Sequence, residues 1–200
     1  SLNINNDGQF NHSKDLRSIN ETNGVWNMRV NRASAAETLT LKGSYEDERP
    51  NDLVLMIVDV YSRDVLENFP NEPIELSNMS SKINDFKIVA GEEAYVVSMV
   101  NEILNSIPTE FSLGQNYPNP FNPVTKMDIS LPLTGDVKLV IYNILGQKVR
   151  TLFSGELNYG YHTLQWNGLD DQGLRISSGV YFSEFRSRNH RKTKKMLLLK

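Results

Sequence analysis

The sequence predicts an all-β protein built as two β-sandwich domains joined by a proline-rich strap. Apolar and polar residues alternate with a period of two through most of the 200-residue chain. β-branched and aromatic residues fill those runs. Clusters of Gly, Pro, Asn and Asp separate them. Together these features place a β-rich domain over residues 1–105, the strap over 106–123 and a second sandwich over 124–200.

In the first domain the spacing predicts strands at Val25–Val30, Glu37–Lys42, Leu53–Val60, Pro73–Leu76, Asp85–Val89 and Ala94–Val100. Turn-forming clusters such as 47–52 and 68–73 lie between them. The run from Glu92 to Leu104 has two readings. Val96, Val100 and Ile103 share one helical face, whereas Tyr95, Val96 and Val97 favour β structure. The β preference decides for a strand over its first half, and no long amphipathic helix is expected.

The strap reads Gln115-Asn116-Tyr117-Pro118-Asn119-Pro120-Phe121-Asn122-Pro123. Each proline fixes its own φ, lacks an N–H and pushes the preceding residue toward extended backbone. A stiff, polyproline-like segment is expected, with Tyr117 and Phe121 tucked onto a neighbouring sheet.

Beyond the strap the alternation is cleaner. Met127, Ile129 and Leu131 form one apolar row, and Val137, Leu139 and Ile141 form the next. A Leu145-Gly146 turn leads to Val149–Phe153, then His162, Leu164 and Trp166 alternate. Asn167–Gly173 is a polar turn, and Gly179–Arg186 and Thr193–Leu199 close the chain. Six or seven short strands at this spacing read as a β-sandwich. Trp166 is its expected core anchor, since an aromatic ring in mid-sandwich buries roughly 150–250 Å².

Composition limits the function classes. The chain has no cysteine, which removes disulfides, thiolate metal sites and cysteine nucleophiles. No apolar run reaches the ~18 residues of a membrane helix. The chain opens at Ser1 without a basic-then-apolar leader. The expectation is an intracellular protein, or a mature form or fragment whose targeting signal lies elsewhere. Net charge is −3; removing the seven Lys/Arg between Arg186 and Lys200 leaves −10 for the rest, so a basic tail follows an acidic body.

Residues 108–200 carry a specific resemblance. Phe111-Ser112-Leu113-Gly114 precedes the proline segment. Leu131-Pro132 ends a strand and Gly135 begins the next. Val140-Ile141-Tyr142-Asn143 leads to Gly146-Gln147-Lys148-Val149. Trp166-Asn167-Gly168, Ser178-Gly179-Val180-Tyr181 and Lys195-Met196-Leu197-Leu198-Leu199-Lys200 follow in order. This series resembles the C-terminal sorting domains (type A) of type IX secretion substrates of Bacteroidetes and related phyla. It is also similar to the immunoglobulin-like domain of flagellar hook-capping proteins.

The resemblance implies an immunoglobulin-like fold and an export role. It implies shuttle and translocon β-barrel partners in the outer membrane, removal by a sorting protease, and then surface lipopolysaccharide attachment or release. The location implied is the cell surface or exterior, reached through the periplasm. The recognition residues it implies are the strap, Gln115 to Pro123, and an export signal. That signal comprises Pro132, Gly135, Gly179, Tyr181, Lys195, Leu197, Leu198, Leu199 and Lys200. Residues 1–105 resemble more weakly the β-rich segment that precedes such domains, through Asp15-Leu16-Arg17-Ser18, Trp26 and Phe86–Gly91. No catalysis, metal or cofactor is expected within these residues, and any catalytic domain would lie upstream. The alternative is a structural, adhesive or filament-forming module that keeps its sandwich.

Other patterns have plainer readings. Leu131-Pro132-Leu133-Thr134-Gly135 spells a sortase motif, but strand-patterned chain follows it, so a turn between two strands is expected. The basic tail reads first as a solvated edge that blocks aggregation, with Arg186, Arg188, Lys192 and Lys194 outward. Docking to export machinery or polysaccharide comes second. Nucleic acid is disfavoured because no aromatic platform follows Phe185. Asp170-Asp171-Gln172-Gly173 lacks the alternating carboxylates of a calcium loop and reads as a turn. His12, His162 and His190 have no metal spacing, and His162 reads as a packed or strand-end residue. The N-x-S/T sites at Asn11, Asn20 and Asn78 fit chance in an Asn-rich chain.

Overall fold

A computed structural model describes residues 2–5, 23–31, 39–45, 53–67, 74–76 and 83–199. Asp15–Ser18, His12, the sites at Asn11, Asn20 and Asn78, and Lys200 lie outside the described residues. The chain divides into two compact units, 1–107 and 108–200.

In the first unit, β1 (Leu2–Asn5), β3 (Leu39–Tyr45) and β6 (Ile74–Leu76) pair in the order β1-β3-β6. A four-stranded antiparallel sheet has the order β2-β7-β4-β5, from β2 (Gly24–Asn31), β7 (Ile83–Gly91), β4 (Val54–Asp59) and β5 (Val65–Leu66). One face of that sheet supplies a core of Val30, Leu55, Ile57, Phe86, Ile88 and Ala90. Val58 and Val89 point to the opposite face and are also fully buried.

The stretch expected as a strand from Ala94 is instead helix α1, Glu93–Ser106. It lies against β4 and β7 and buries Val96, Val100 and Ile103. The β preference of Tyr95-Val96-Val97 is local and small. It loses to the burial gained when a 3.6-residue apolar stripe covers a second apolar sheet face. Asn23 Oδ1 accepts from Glu92 N at the helix start (3.1 Å). At the other end Arg63 donates to the carbonyls of Leu104 (2.7 Å) and Ile107 (2.9 Å), occupying two acceptors the helix leaves open.

The second unit is a two-sheet sandwich. One sheet has the order β12-β9-β8, from β8 (Ser112–Leu113), β9 (Thr125–Leu131) and β12 (Gly160–Trp166). The other has the order β11-β10-β13-β14, from β10 (Gly135–Asn143), β11 (Lys148–Leu157), β13 (Gly179–Ser187) and β14 (His190–Leu198). All pairings are antiparallel. The core joins Met127, Ile129 and Leu131 to Val137, Leu139 and Ile141, with Phe185, Met196 and Leu198. Trp166 lies at its centre, with its ring 5.5 Å from Phe121 and 5.6 Å from Tyr181. Its Nε1 donates to Leu169 O (2.9 Å), so burial leaves the indole N–H satisfied.

The expected turns take their places. Leu131 ends β9 and Gly135 opens β10, with Thr134 buried and accepting from Tyr159 N. Asp170 Oδ1 accepts from the backbone N–H groups of Gln172 and Leu174, which closes the 170–174 turn. His162 is half-buried and bonds Asn158 O (2.7 Å). Arg186, Arg188 and Lys192 are exposed, whereas Lys194 is half-buried.

Candidate recognition site

The strap is a closed loop, not an extended segment. Tyr117 N donates to Lys126 O and Lys126 N donates to Tyr117 O, each at 2.8 Å. These bonds continue the β8–β9 ladder, in which Gly114 N donates to Asp128 O. The chain bends at 118–120 and 122–123, and the Tyr117-Pro118 and Asn119-Pro120 peptides are cis.

Prolines leave carbonyls without neighbouring donors, and side-chain amides take up that role. Buried Asn116 Nδ2 donates to Pro118 O (3.0 Å) and Thr125 Oγ1 (2.9 Å). Thr125 Oγ1 donates to Pro118 O (2.8 Å), and Gln115 Nε2 donates to Asn116 Oδ1 (2.7 Å).

The loop then grips the last strand. Phe121 N donates to Leu197 O and Leu199 N donates to Phe121 O, both at 2.9 Å. Leu197 N donates to Asn119 Oδ1 (2.9 Å), and Gln115 Nε2 donates to Lys195 O (2.8 Å). Phe121 is 2% exposed and packs as expected. Tyr117, expected to tuck in, is 79% exposed. Its backbone is fixed by the Lys126 pair, which turns the ring away from the sheet.

Folded back in this way, the strap occupies part of the edge of the last strand. The outer edge of β14 is already bonded by the loop at Lys195, Leu197 and Leu199.

Of the predicted export-signal residues, Lys195, Leu197, Leu198, Leu199 and Gly179 come together with the loop; Gly179 is the Cα partner of Leu198. Pro132 and Gly135 sit at the opposite end of the sheets, in the β9–β10 turn. Tyr181 is a core residue whose hydroxyl donates to Ser177 O (2.7 Å), and burial raises its pKa.

Sequence reasoning missed two site residues. Thr125 is a polar residue on the inward row of Met127 and Ile129, a signal that could have marked it. Gly168 has φ 69°, in the left-handed region that favours glycine. A Cβ there would stand 3.2 Å from Pro123 O and 3.9 Å from Leu198, so loop, turn and last strand meet at that point.

The same end of the sandwich displays apolar side chains. Tyr117, Val124, Ile144, Leu145, Leu174 and Leu199 are exposed. Ile144 and Leu145 cap the β10–β11 hairpin, where Asn143 Oδ1 accepts from Leu145 N and Gln147 N (both 3.0 Å). Asp171 braces the neighbouring turn. Lys148 and the Thr151 N–H bond its carboxylate and lower its pKa. Among the described residues no group of three or more His, Cys, Asp or Glu is placed to hold a metal.

This architecture is that of an immunoglobulin-like β-sandwich. Residues 122–187 match the profile of the FlgD Ig-like domain. Three solved structures are similar to the chain. FlgD from P. aeruginosa is 24% identical, with a TM-score of 0.30 over 37% of this chain and 57% of that one. PorZ of Porphyromonas gingivalis, described as an essential surface component of the type IX secretion system, is 18% identical. Its TM-score is 0.30 over 56% of this chain and 14% of PorZ. Dimeric latent PorU from Porphyromonas gingivalis is 11% identical, with a TM-score of 0.37 over 98% of this chain and 20% of PorU. The chain thus spans less than two thirds of each of these three proteins. No curated protein sequence matches it. Among the described residues no helix is long and apolar enough to cross a membrane.

Proposed function

We propose that residues 108–200 act as an export label that other proteins recognise, and that this part of the chain performs no reaction itself. The observation that carries the proposal is the union of the proline loop with the last strand. Two stretches that the resemblance to type IX sorting domains marks as signal, far apart in sequence, form one hydrogen-bonded element. Exposed Tyr117 and Leu199 flank it. A rigid backbone presenting exposed aromatic and aliphatic groups suits a protein-binding site, since little loop-ordering entropy is lost on docking. The partners on this reading are outer-membrane shuttle and translocon barrels and a sorting protease, with lipopolysaccharide attachment or release as the end point.

A second reading has its own support. The FlgD Ig-like profile covers 122–187 and stops before the last strand, which suits a permanent structural module that needs no terminal signal.

The test places the chain behind a periplasmic-export leader in a type IX-competent bacterium. The chain should reach the cell surface, while Tyr117→Ala/Leu199→Ala and a deletion of Lys195–Lys200 should stay in the periplasm. The double variant touches only exposed side chains, so it separates loss of signal from loss of fold. Undiminished display of both variants would overturn the label. Mass measurement of surface cargo that still retains residues 108–200 would favour the structural module.

A further inference from the structure

The outward face of the β11-β10-β13-β14 sheet has a composition that a merely solvated face does not require. Strand alternation places Val137, Leu139, Ile141, Phe185, Met196 and Leu198 inward. Lys138, Val140, Tyr142, Val180, Phe182, Glu184, Arg186, Arg191, Lys195 and Leu197 therefore point outward, in register across three strands.

Glu184 is 4% exposed although it lies on this face. Its Oε1 accepts from Arg186 Nε and its Oε2 from Arg191 Nε and Nη2. A buried carboxylate that takes two guanidiniums fixes both in place. Each guanidinium carries five N–H donors in a fixed fork, so each retains donors beyond those spent on Glu184. Lys138, Arg186 and Arg191 are Cα partners side by side, which sets them in a row about 10 Å long. Lys195 stands four residues further along β14, roughly 13 Å from Arg191. Half-buried Tyr142, Val180, Phe182 and Leu197 lie next to this cationic rim. Asp136 and Glu156, Cα partners, lie on the same outward rows two residues beyond Lys138, at the end of the face away from Lys195, so the cations between Lys138 and Lys195 set the charge presented to a partner.

We propose that this face docks an acidic protein segment, with carboxylates on Lys138, Arg186, Arg191 and Lys195 and an apolar side chain on Phe182. Charge complementarity selects an acidic partner. Protein is favoured over a lipid surface because the long cationic side chains rise above the apolar residues and would hold them off a flat bilayer. It is favoured over a polyanionic glycan because Val180 and Leu197 gain nothing from sulfates or phosphates. The face adjoins the loop at Lys195 and Leu197, whose backbone groups the loop bonds, but docking here uses side chains on the sheet face and does not rest on the export reading.

The test measures binding of the whole chain to a random glutamate–tyrosine copolymer, with dextran sulfate and phosphatidylglycerol vesicles as competing probes. The copolymer should bind most tightly, and raising the salt should weaken it. Lys138→Glu/Lys195→Glu should weaken it at least tenfold; neither side chain bonds Glu184, so the arginine clamp survives. Overturning results are absence of copolymer binding, binding unchanged in the variant, or tighter binding of dextran sulfate or vesicles.

Discussion

The two units bury their sheets differently. In the second, sheet faces sheet, and β9 alternates between inward Met127, Ile129 and Leu131 and outward Lys126 and Asp128. In the first, β4 is apolar on both faces: Leu55 and Ile57 enter one core while Val58 is buried on the other side, the face of β4 and β7 that α1 covers. A strand covered on both faces loses its period-two signature. The units differ in charge as well. Residues 108–200 hold twelve Lys/Arg and seven Asp/Glu, a net of +5, which leaves −8 for 1–107 against the total of −3. The comparison teaches that alternation reveals strands covered on one face, while a continuous apolar run conceals whether a sheet or a helix lies above it.

Each unit holds one of the two tryptophans, and they offer the sharpest contrast. Trp166 is 1% exposed and touches Phe121 and Tyr181, whereas Trp26 is half-buried at the margin of its core. Trp166→Ala should cost about 3–5 kcal/mol in denaturant unfolding. Trp26→Ala should cost clearly less. Equal losses would mean that the second sandwich depends no more on its central ring than the first unit does on a rim residue.

The helix gives the next largest effect. Val97 is exposed on α1, so side-chain loss there matters little. Val97→Pro should cost about 3 kcal/mol, because it removes a helical hydrogen bond and clashes with the preceding turn. Val97→Ala should be neutral or slightly stabilising, since alanine is the better helix former. Circular dichroism with thermal unfolding checks both. A loss from Val97→Ala comparable to that from Val97→Pro would break the assignment of this segment as helix.

The strands of the second unit were legible because each has one wet face and one dry one, and Trp166 was legible from its place in such a row. The helix was not. Its apolar stripe was visible at Val96, Val100 and Ile103, but β propensity at Tyr95–Val97 outweighed it until the second apolar face of β4 and β7 required a cover. The proline loop was half legible. Prolines predict restricted backbone, yet whether the chain runs on or folds back is set by the Asn116–Thr125 bond and the Tyr117–Lys126 pair. The contact of Phe121 with Leu198 is a matter of register between distant segments, and no local pattern encodes it.

That loop network sets a third test. Asn116→Ala removes a buried donor from Pro118 O and Thr125 Oγ1 and should destabilise the second unit by about 1–3 kcal/mol. Gln115→Ala, at an exposed position, should cost less. If Asn116→Ala is silent, the loop is held by its backbone pairs to Lys126 and β14 alone.

The smallest effect should differ in sign between the units. Burial alone would raise the Glu184 carboxyl, but hydrogen bonds from Arg186 and Arg191 outweigh it and hold the group below its ordinary value near 4.5. A depressed acid stabilises the fold above its unfolded pKa, and that contribution is lost as pH falls through the folded value. Asp59 is the reverse case. Desolvation raises it above 3.8, despite hydrogen bonds from Ser62 and Tyr61. Its ionisation therefore opposes folding, and stability declines as pH rises from 3.8 through the folded value. Both arginine partners are more than half exposed, so solvent screens the Glu184 pairs and keeps their contribution small. Melting temperatures taken across the acid limb should show Glu184→Gln losing less on acidification than the parent chain. Asp59→Asn, whose Oδ1 still accepts from Tyr61 and Ser62, should remove a penalty at neutral pH. If both variants shifted the acid limb in the same direction, the opposed electrostatics of the two units would be refuted even with their folds intact.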